Sequence, residues 1–251
     1  MTSTEFARAA ATIRLALLPV GATEQHGPNL ALATDYVIAH RLAQKLAERL
    51  HPAAVVVPPI PFGFSHHHTG FAGTITLSPE TLTAVCMDTA HSLRNNGIRH
   101  LLLVNGHNGN TGVLNVIASR VRYELDMHAA VAFYFAQAAD RVKAHGKTER
   151  YGHACEIETS VALYLAPELV RRDALEPGRM RPQTIPHAFN NQPFFLQMPM
   201  PFHEQTENGV FGDARLADEA IGRDIVETAL ARTIAFVHGF LQDAPSTGAG
   251  A

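Results

Sequence analysis

Glu24, His26 and Asp35 fall within twelve residues, in Gly21-Ala-Thr-Glu24-Gln-His26-Gly-Pro-Asn-Leu-Ala-Leu-Ala-Thr-Asp35, directly after an apolar run over residues 13–20. In extended backbone, side chains two apart point the same way, so Glu24 and His26 can face one centre while Asp35 joins from the far end of a loop. Two carboxylates and an imidazole suit zinc, manganese or iron, and an aspartate can bridge two such ions. The same residues also fit a hydrogen-bonded surface turn in which Asp35 caps a helix. Other segments have to decide.

A second segment, Asn105-Gly-His107-Asn108-Gly109-Asn110, links the apolar run 101–104 to a helix. Backbone donors at such a turn can bind an anion. No Lys-Ser/Thr pair and no Gly-x-Gly-x-x-Gly accompanies it, so a phosphate site is the weaker reading. His107 is instead a natural fourth metal ligand.

The third segment, His153-Ala-Cys155-Glu156-Ile-Glu158-Thr-Ser160, heads a helical stretch. On that helix His153 and Glu156 share a face and Glu158 points elsewhere. If the helix starts near Cys155, His153 lies in the preceding loop and approaches the site independently. Two carboxylates at a helix N-terminus are also what the helix dipole favours without any function. His66, His67 and His68 sit in a glycine-punctuated loop. Neighbouring side chains diverge, so one or two of the three can contact a substrate. Of the fifteen histidines, His40, His51, His91, His100, His128, His145 and His238 lie in helical or helix-flanking patterns and read as solvated or hydrogen-bonded.

These segments need a frame. Apolar runs over 13–20, 53–57, 99–104 and 129–134 alternate with helical patterns over 35–50, 79–95 and 110–125. That alternation predicts an α/β fold, a single-domain three-layer sandwich with a mostly parallel sheet and helices on both faces. Ligands of such sheets bind beyond the strands' carboxyl ends, where these motifs fall. Ser78-Pro79 and Asn96-Gly97 punctuate one helix. From Glu176 to Phe202 the pattern dissolves into a Pro/Phe-rich stretch, read as part of a pocket wall or an interface. An amphipathic helix over 214–240 closes the domain, taken as 1–245, before a tail over 246–251 expected to be disordered.

With 251 residues, 46% hydrophobic and 17% charged, the chain can bury one large core. A net charge of −3 gives no basic footprint for nucleic acid and no polybasic membrane patch. Cys86 and Cys155 are too few for a disulfide framework and point to reduced thiols in a cytoplasm. The N-terminus has no leader pattern and no run reaches a membrane span, so a soluble, unprocessed protein is expected.

Taken together, Glu24-Gln-His26-Gly-Pro with Thr34-Asp35, the Gly73-Thr74 loop, Asn105-Gly-His107, His153 ahead of Glu158-Thr-Ser160, and Gly209-Val-Phe-Gly-Asp213 resemble the creatininase (creatinine amidohydrolase) family over residues 13–225. The resemblance implies an α/β fold, a dinuclear Zn, Mn or Fe centre, hydrolysis of non-peptide or unusual amide C–N bonds by a metal-activated water, and homo-oligomers, frequently hexamers. Members include creatinine ring hydrolases, formamide deformylases and peptidases that trim a redox-cofactor precursor. By matching positions, Glu24 and His107 would bind one ion, His26 the second, and Asp35 would bridge them. His153 would act as the acid/base.

Two departures matter. Where creatininase itself carries a metal-binding glutamate, this chain has Gly109, and Glu158 is the candidate for the missing carboxylate, as in family members with glycine in that turn. Asn29 replaces the family's histidine after Gly-Pro, and Cys155 its glycine after His-Ala. Both, with the absence of tryptophan, speak against creatinine as the substrate.

The expected function is a two-ion amidohydrolase, zinc foremost, acting on a small cyclic amide or formamide. His153 and Glu158 would carry catalysis, and His67, His68, Thr74 and Asn108 would contact substrate. A precursor-trimming peptidase and a non-catalytic metal-binding protein of the same fold are the alternatives.

Overall fold

The strands are short, nearly all apolar and parallel. In the computed structural model, which describes residues 1–182 and 199–242, β1 (Leu15–Val20), β2 (Ala54–Val56), β3 (His100–Asn105) and β4 (His128–Phe133) form one sheet in the order β2-β1-β3-β4. All three pairings are parallel, with Leu15 opposite both Ala54 and His100, and His100 opposite His128. Every residue of β1 and β3 is buried, as expected of strands covered on both faces.

Period-two alternation divides the core. Leu15, Leu17, Leu102 and Val104 pack with α2 (Thr34–Arg49), α7 (Glu156–Leu165) and α9 (Glu219–Phe240). On the other face Ala16, Leu18, Leu101 and Leu103 meet α3 (Pro79–Asn95) and α4 (Thr111–Leu125). The result is the expected three-layer α/β arrangement. Strand order reverses between β1 and β3, which makes the gap beyond their carboxyl ends the place where such a sheet binds ligands.

Several local expectations shift. Short helices α1 (Ser3–Ala9), α5 (Tyr134–Gln137), α6 (Ala139–His145) and α8 (Phe202–Gln205) were not read from periodicity, since one or two turns give it too little to act on. The terminal helix starts at Glu219 rather than near Ala214, because the Asp218 side chain accepts from Ala220 N at 2.7 Å and caps it there. His100 and His128, assigned to helix flanks, begin β3 and β4 and stack with ring centroids 5.0 Å apart. Most of the Pro/Phe-rich stretch and the terminal tail lie outside the described residues. Cys86 and Cys155 are both buried and unpaired. Among the described residues no helix is long and apolar enough to cross a membrane.

Candidate metal centre

β1 ends at Val20 and the chain continues extended into Glu24 and His26; β3 ends at Asn105 and turns directly into His107. α2 brings Asp35 in from above. That approach requires glycine at two places, because a Cβ on Gly21 would meet the Tyr36 backbone and one on Gly106 the Asp35 carbonyl. The capping alternative for Asp35 fails: the N-cap position is Ala33, and Asp35 lies in the first turn with its carboxylate facing His26 and His107.

The carboxylates of Glu24, Asp35 and Glu158 converge with His26, His107 and His153, all of them buried. His26 Nε2 lies 3.1 Å from Asp35 Oδ1 and 3.6 Å from Glu158 Oε1. His107 Nδ1 is 3.2 Å from both Glu24 Oε1 and Asp35 Oδ2, so Asp35 spans the two imidazoles. His153 Nδ1 lies 3.8 Å from Glu158 Oε2 and 3.9 Å from Glu24 Oε1.

The outer nitrogens fix which ring atoms are free. His26 Nδ1 donates to Glu24 O at 3.1 Å, His107 Nε2 to Phe64 O at 3.2 Å, and His153 Nε2 to Gln25 O at 2.7 Å. A carbonyl oxygen only accepts, so each ring carries a proton on its outer nitrogen and turns its inner nitrogen on the carboxylates. Among the described residues no lysine or arginine reaches ion-pair distance of these carboxylates. Both Glu24 oxygens and Asp35 Oδ2 are buried with no hydrogen bond. Buried carboxylates with no lysine or arginine to neutralise them, facing the inner nitrogens of imidazoles, want a cation. The donor set therefore fits divalent metal, and Glu24 with His26 and Asp35, and His26 with His153 and Glu158, lie close enough to share one.

The electrostatics divide the groups: Asp35 and Glu158 are held ionised, burial raises Glu24, and the positive charge that answers the carboxylates sits as protons on His26 and His107, in the place a metal ion would take. Burial raises Asp35, but His26 and His107 outweigh it and hold the carboxyl well below its usual range. Burial also raises Glu158, and again His26 outweighs it and keeps the group ionised. Burial depresses His107, yet Glu24 and Asp35 hold it up at about 10. His153 goes the other way, lowered to about 3 by burial and then by His26.

At the start of α7 the two glutamates part. Glu156 accepts from Lys147 N, Thr148 N, Thr148 Oγ1 and Asp213 N, and anchors loops outside the centre. Glu158 turns inward and accepts from Ala154 N at 2.6 Å. Ala154 stands at φ 50°, a left-handed conformation costing roughly 1–2 kcal/mol for a residue with a Cβ. Asn29 holds it, donating to Ala154 O at 3.1 Å and to Thr159 Oγ1 at 3.0 Å. Asn29 thus fastens the turn that carries His153 and Glu158. The Gly209–Asp213 motif acts similarly, Phe211 N donating to His153 O at 2.8 Å.

The residues expected to contact substrate are placed unequally. His68 is buried beside Glu24, its Nε2 3.3 Å from Oε1. His67 is half-buried and stacks on His107, centroids 5.4 Å apart and planes 8° from parallel. Asn108 is exposed. Thr74 stands behind, accepting from Gln25 N at 3.2 Å and donating to His68 O at 3.2 Å.

Three contributors carried no assignment from sequence. Ser65 Oγ sits 3.3 Å from His107 Nε2. The Phe202 ring covers His68 at 4.2 Å and His153 at 4.9 Å, the described end of the expected wall. Gln25, flanked by Glu24 and His26 in the motif, had the position to be noticed.

Gly109 lacks a side chain for a steric reason. A Cβ there would meet His107 Nε2, Phe64 O and the His67 ring. Gly109→Ala is therefore expected to destabilise by about 1–3 kcal/mol, lowering the melting temperature by roughly 2–12 °C. Thermal unfolding followed by circular dichroism checks this; an unchanged midpoint would mean that the turn gives way freely.

A family model described as creatinine amidohydrolase matches residues 1–237. A mycofactocin precursor peptide peptidase of Mycobacterium ulcerans is 35% identical over 174 residues, covering 66% of this chain and 64% of that protein. The match thus spans just under two thirds of that relative's length. The protein of the same description from Mycobacterium tuberculosis is 33% identical over 217 residues, covering 83% of this chain and 78% of its own. Among solved structures, a creatinine amidohydrolase (creatininase) superposes with a TM-score of 0.81 at 26% identity over 97% of both chains. Two others, a mutant creatininase of Zn-Zn type and a manganese form, superpose at 0.80 and 0.78, each with 26% identity over 97% of both chains.

Proposed function

Since the chain belongs to the creatininase family, we propose that it is a metal-dependent hydrolase of amide C–N bonds whose centre is built from Glu24, His26, Asp35, His107 and Glu158. The observation that carries the reading is the convergence of three buried carboxylates on three imidazoles, with both Glu24 oxygens and Asp35 Oδ2 left without hydrogen bonds. These residues would hold two divalent ions, zinc first and manganese or iron next. Bound, they supply Lewis acidity, lowering the pKa of a water and polarising the amide carbonyl.

The chain's own residues do the rest. His153 Nδ1 carries no proton at rest, because Nε2–H is committed to Gln25 O. It is therefore a base first: it accepts the proton of the attacking water as the C–O bond forms. It then returns that proton to the nitrogen as the C–N bond breaks. Glu158 Oε2, 3.8 Å from His153 Nδ1, stabilises the imidazolium between the two steps. Phe202 excludes water from the His68 and His153 side.

A cyclic amide or formamide fits this chemistry, and so does a peptide amide. The likeness to two mycofactocin precursor peptide peptidases favours the second substrate class. Metal analysis with a screen of cyclic amides, formamides and short peptides tests the proposal. Two ions per chain and turnover of one class are expected; a metal-free protein or a metal-loaded but inert one would refute it, the latter leaving a binding protein. We further expect a homo-oligomer, checked by sedimentation.

Glu158 supplies a narrower test. Glu158→Ala is expected to leave one ion per chain where the parent holds two, read by elemental analysis after dialysis. A variant that keeps both would move the second carboxylate role elsewhere.

A further inference from the structure

Four imidazoles surround the carboxylates, and one is turned differently. His26, His107 and His153 each present their outer nitrogen to a backbone carbonyl. His68 presents its outer nitrogen, Nδ1, to the side-chain amide of Gln25, with Gln25 Nε2 2.9 Å away.

The orientation of that amide is not free. Gly27 N–H donates to Gln25 Oε1 at 3.0 Å, which identifies the oxygen end and leaves the NH2 end facing His68. The second amide hydrogen goes to Gly209 O at 3.3 Å. Gly209 is glycine for this contact: a Cβ there would fall on the Gln25 side-chain oxygen. Gln25 is further pinned through its backbone, N–H to Thr74 Oγ1 and O to His153 Nε2. An amide nitrogen only donates, so His68 Nδ1 must accept, and the ring proton resides on Nε2.

Nε2 faces the centre, 3.3 Å from Glu24 Oε1, in a group of Glu24, His68 and His153 atoms close enough to hold an ion. Proximity alone would make His68 a ligand. A protonated nitrogen cannot ligate. Nor is the proton taken up by Glu24, whose oxygens accept no hydrogen bond.

We propose that Gln25 is a positioning residue that locks His68 as the Nε2–H tautomer, withholding it from metal ligation and presenting its N–H to the amide bound at the centre. The inference rests on the metal-hydrolase reading for what the N–H meets, not for where the proton sits. A preorganised donor beside the scissile amide can hydrogen-bond the carbonyl oxygen as negative charge develops on it. The structure thus assigns opposite roles to neighbours: His153 offers a lone pair, His68 a hydrogen.

The test reads the protons directly. In zinc-loaded, 15N-labelled protein, long-range 1H–15N correlation spectra, with His68→Phe to assign the ring, should show His68 protonated on Nε2 and bare on Nδ1. Gln25→Glu replaces the donor by an acceptor and should move the proton to Nδ1 and bring Nε2 onto zinc. Gln25→Met, of similar length and without a donor, should give a mixture of tautomers and a turnover about 10–100-fold lower at unchanged zinc content. Wild-type His68 protonated on Nδ1, or bound to zinc through Nε2, would overturn the proposal. So would folded Gln25→Glu and Gln25→Met proteins that both retain the parent tautomer. Should the protein prove not to be a hydrolase, the spectra still decide the proton's position, so the two failures are distinct.

Discussion

Asp35→Ala is expected to strip the centre of metal and reduce turnover by on the order of 10³-fold or more. Asp35 is the one carboxylate that touches both imidazole arms, Oδ1 at 3.1 Å from His26 and Oδ2 at 3.2 Å from His107. Its loss removes the element common to both proposed ion positions and leaves Glu24 and Glu158 too far apart in role to compensate. Asp35→Asn is the companion variant, since it keeps shape while removing charge and one acceptor. Elemental analysis and turnover should fall together in both, with circular dichroism unchanged. An active, metal-free Asp35→Ala protein would sink the scheme.

His153→Ala should separate ligation from proton transfer. Turnover is expected to fall about 10²–10⁴-fold, the range for losing a general acid/base, while both ions remain. Retention is the informative part, because His153 Nδ1 is near enough to Glu158 and Glu24 to join an ion site. Metal loss in this variant would reassign the residue from catalysis to ligation. The pH profile offers a further check. Burial and His26 lower His153 to about 3, and a cation beside it pushes the same way. The neutral, proton-accepting form therefore prevails at pH values above that, and the group protonates only as pH falls through it. Between pH 7 and 5 kcat/KM should show no loss attributable to this imidazole; an acid limb near 6.5 that vanishes in His153→Ala would contradict the burial argument.

Much of the fold was legible locally. Parallel-sheet strands covered on both faces are apolar throughout, and helices of fifteen or more residues repeat often enough to show their period, so β1, β3, α2, α3 and α4 were anticipated to within a few residues. One-turn helices such as Phe202–Gln205 have no period to read. For the site, residue type was informative wherever ligands cluster in sequence. Glu24 with His26 and Asp35 announced themselves because three potential ligands stood within twelve residues directly after one strand. Spacing alone left α7 open: residues three apart would pair His153 with Glu156 on one helix, whereas a helix starting near Cys155 puts His153 in the loop before it. The second arrangement is the one that forms, with His153 on a turn held by Asn29 and Glu158 facing it.

What the sequence determined by itself was the inventory: which side chains can hold a metal, and that they sit at carboxyl ends of parallel strands. What only tertiary structure decided was the direction in which each of them presents a lone pair or a proton. That direction depends on the group opposite the outer ring nitrogen. His153 meets Gln25 O across 128 residues of sequence, and His68 meets the Gln25 side-chain amide across 43. Imidazoles identical in chemistry are thereby the proposed base, the two proposed ligand arms and the proposed donor. No local pattern encodes the difference, because hydrogen-bond complementarity between distant segments exists only once the chain has folded.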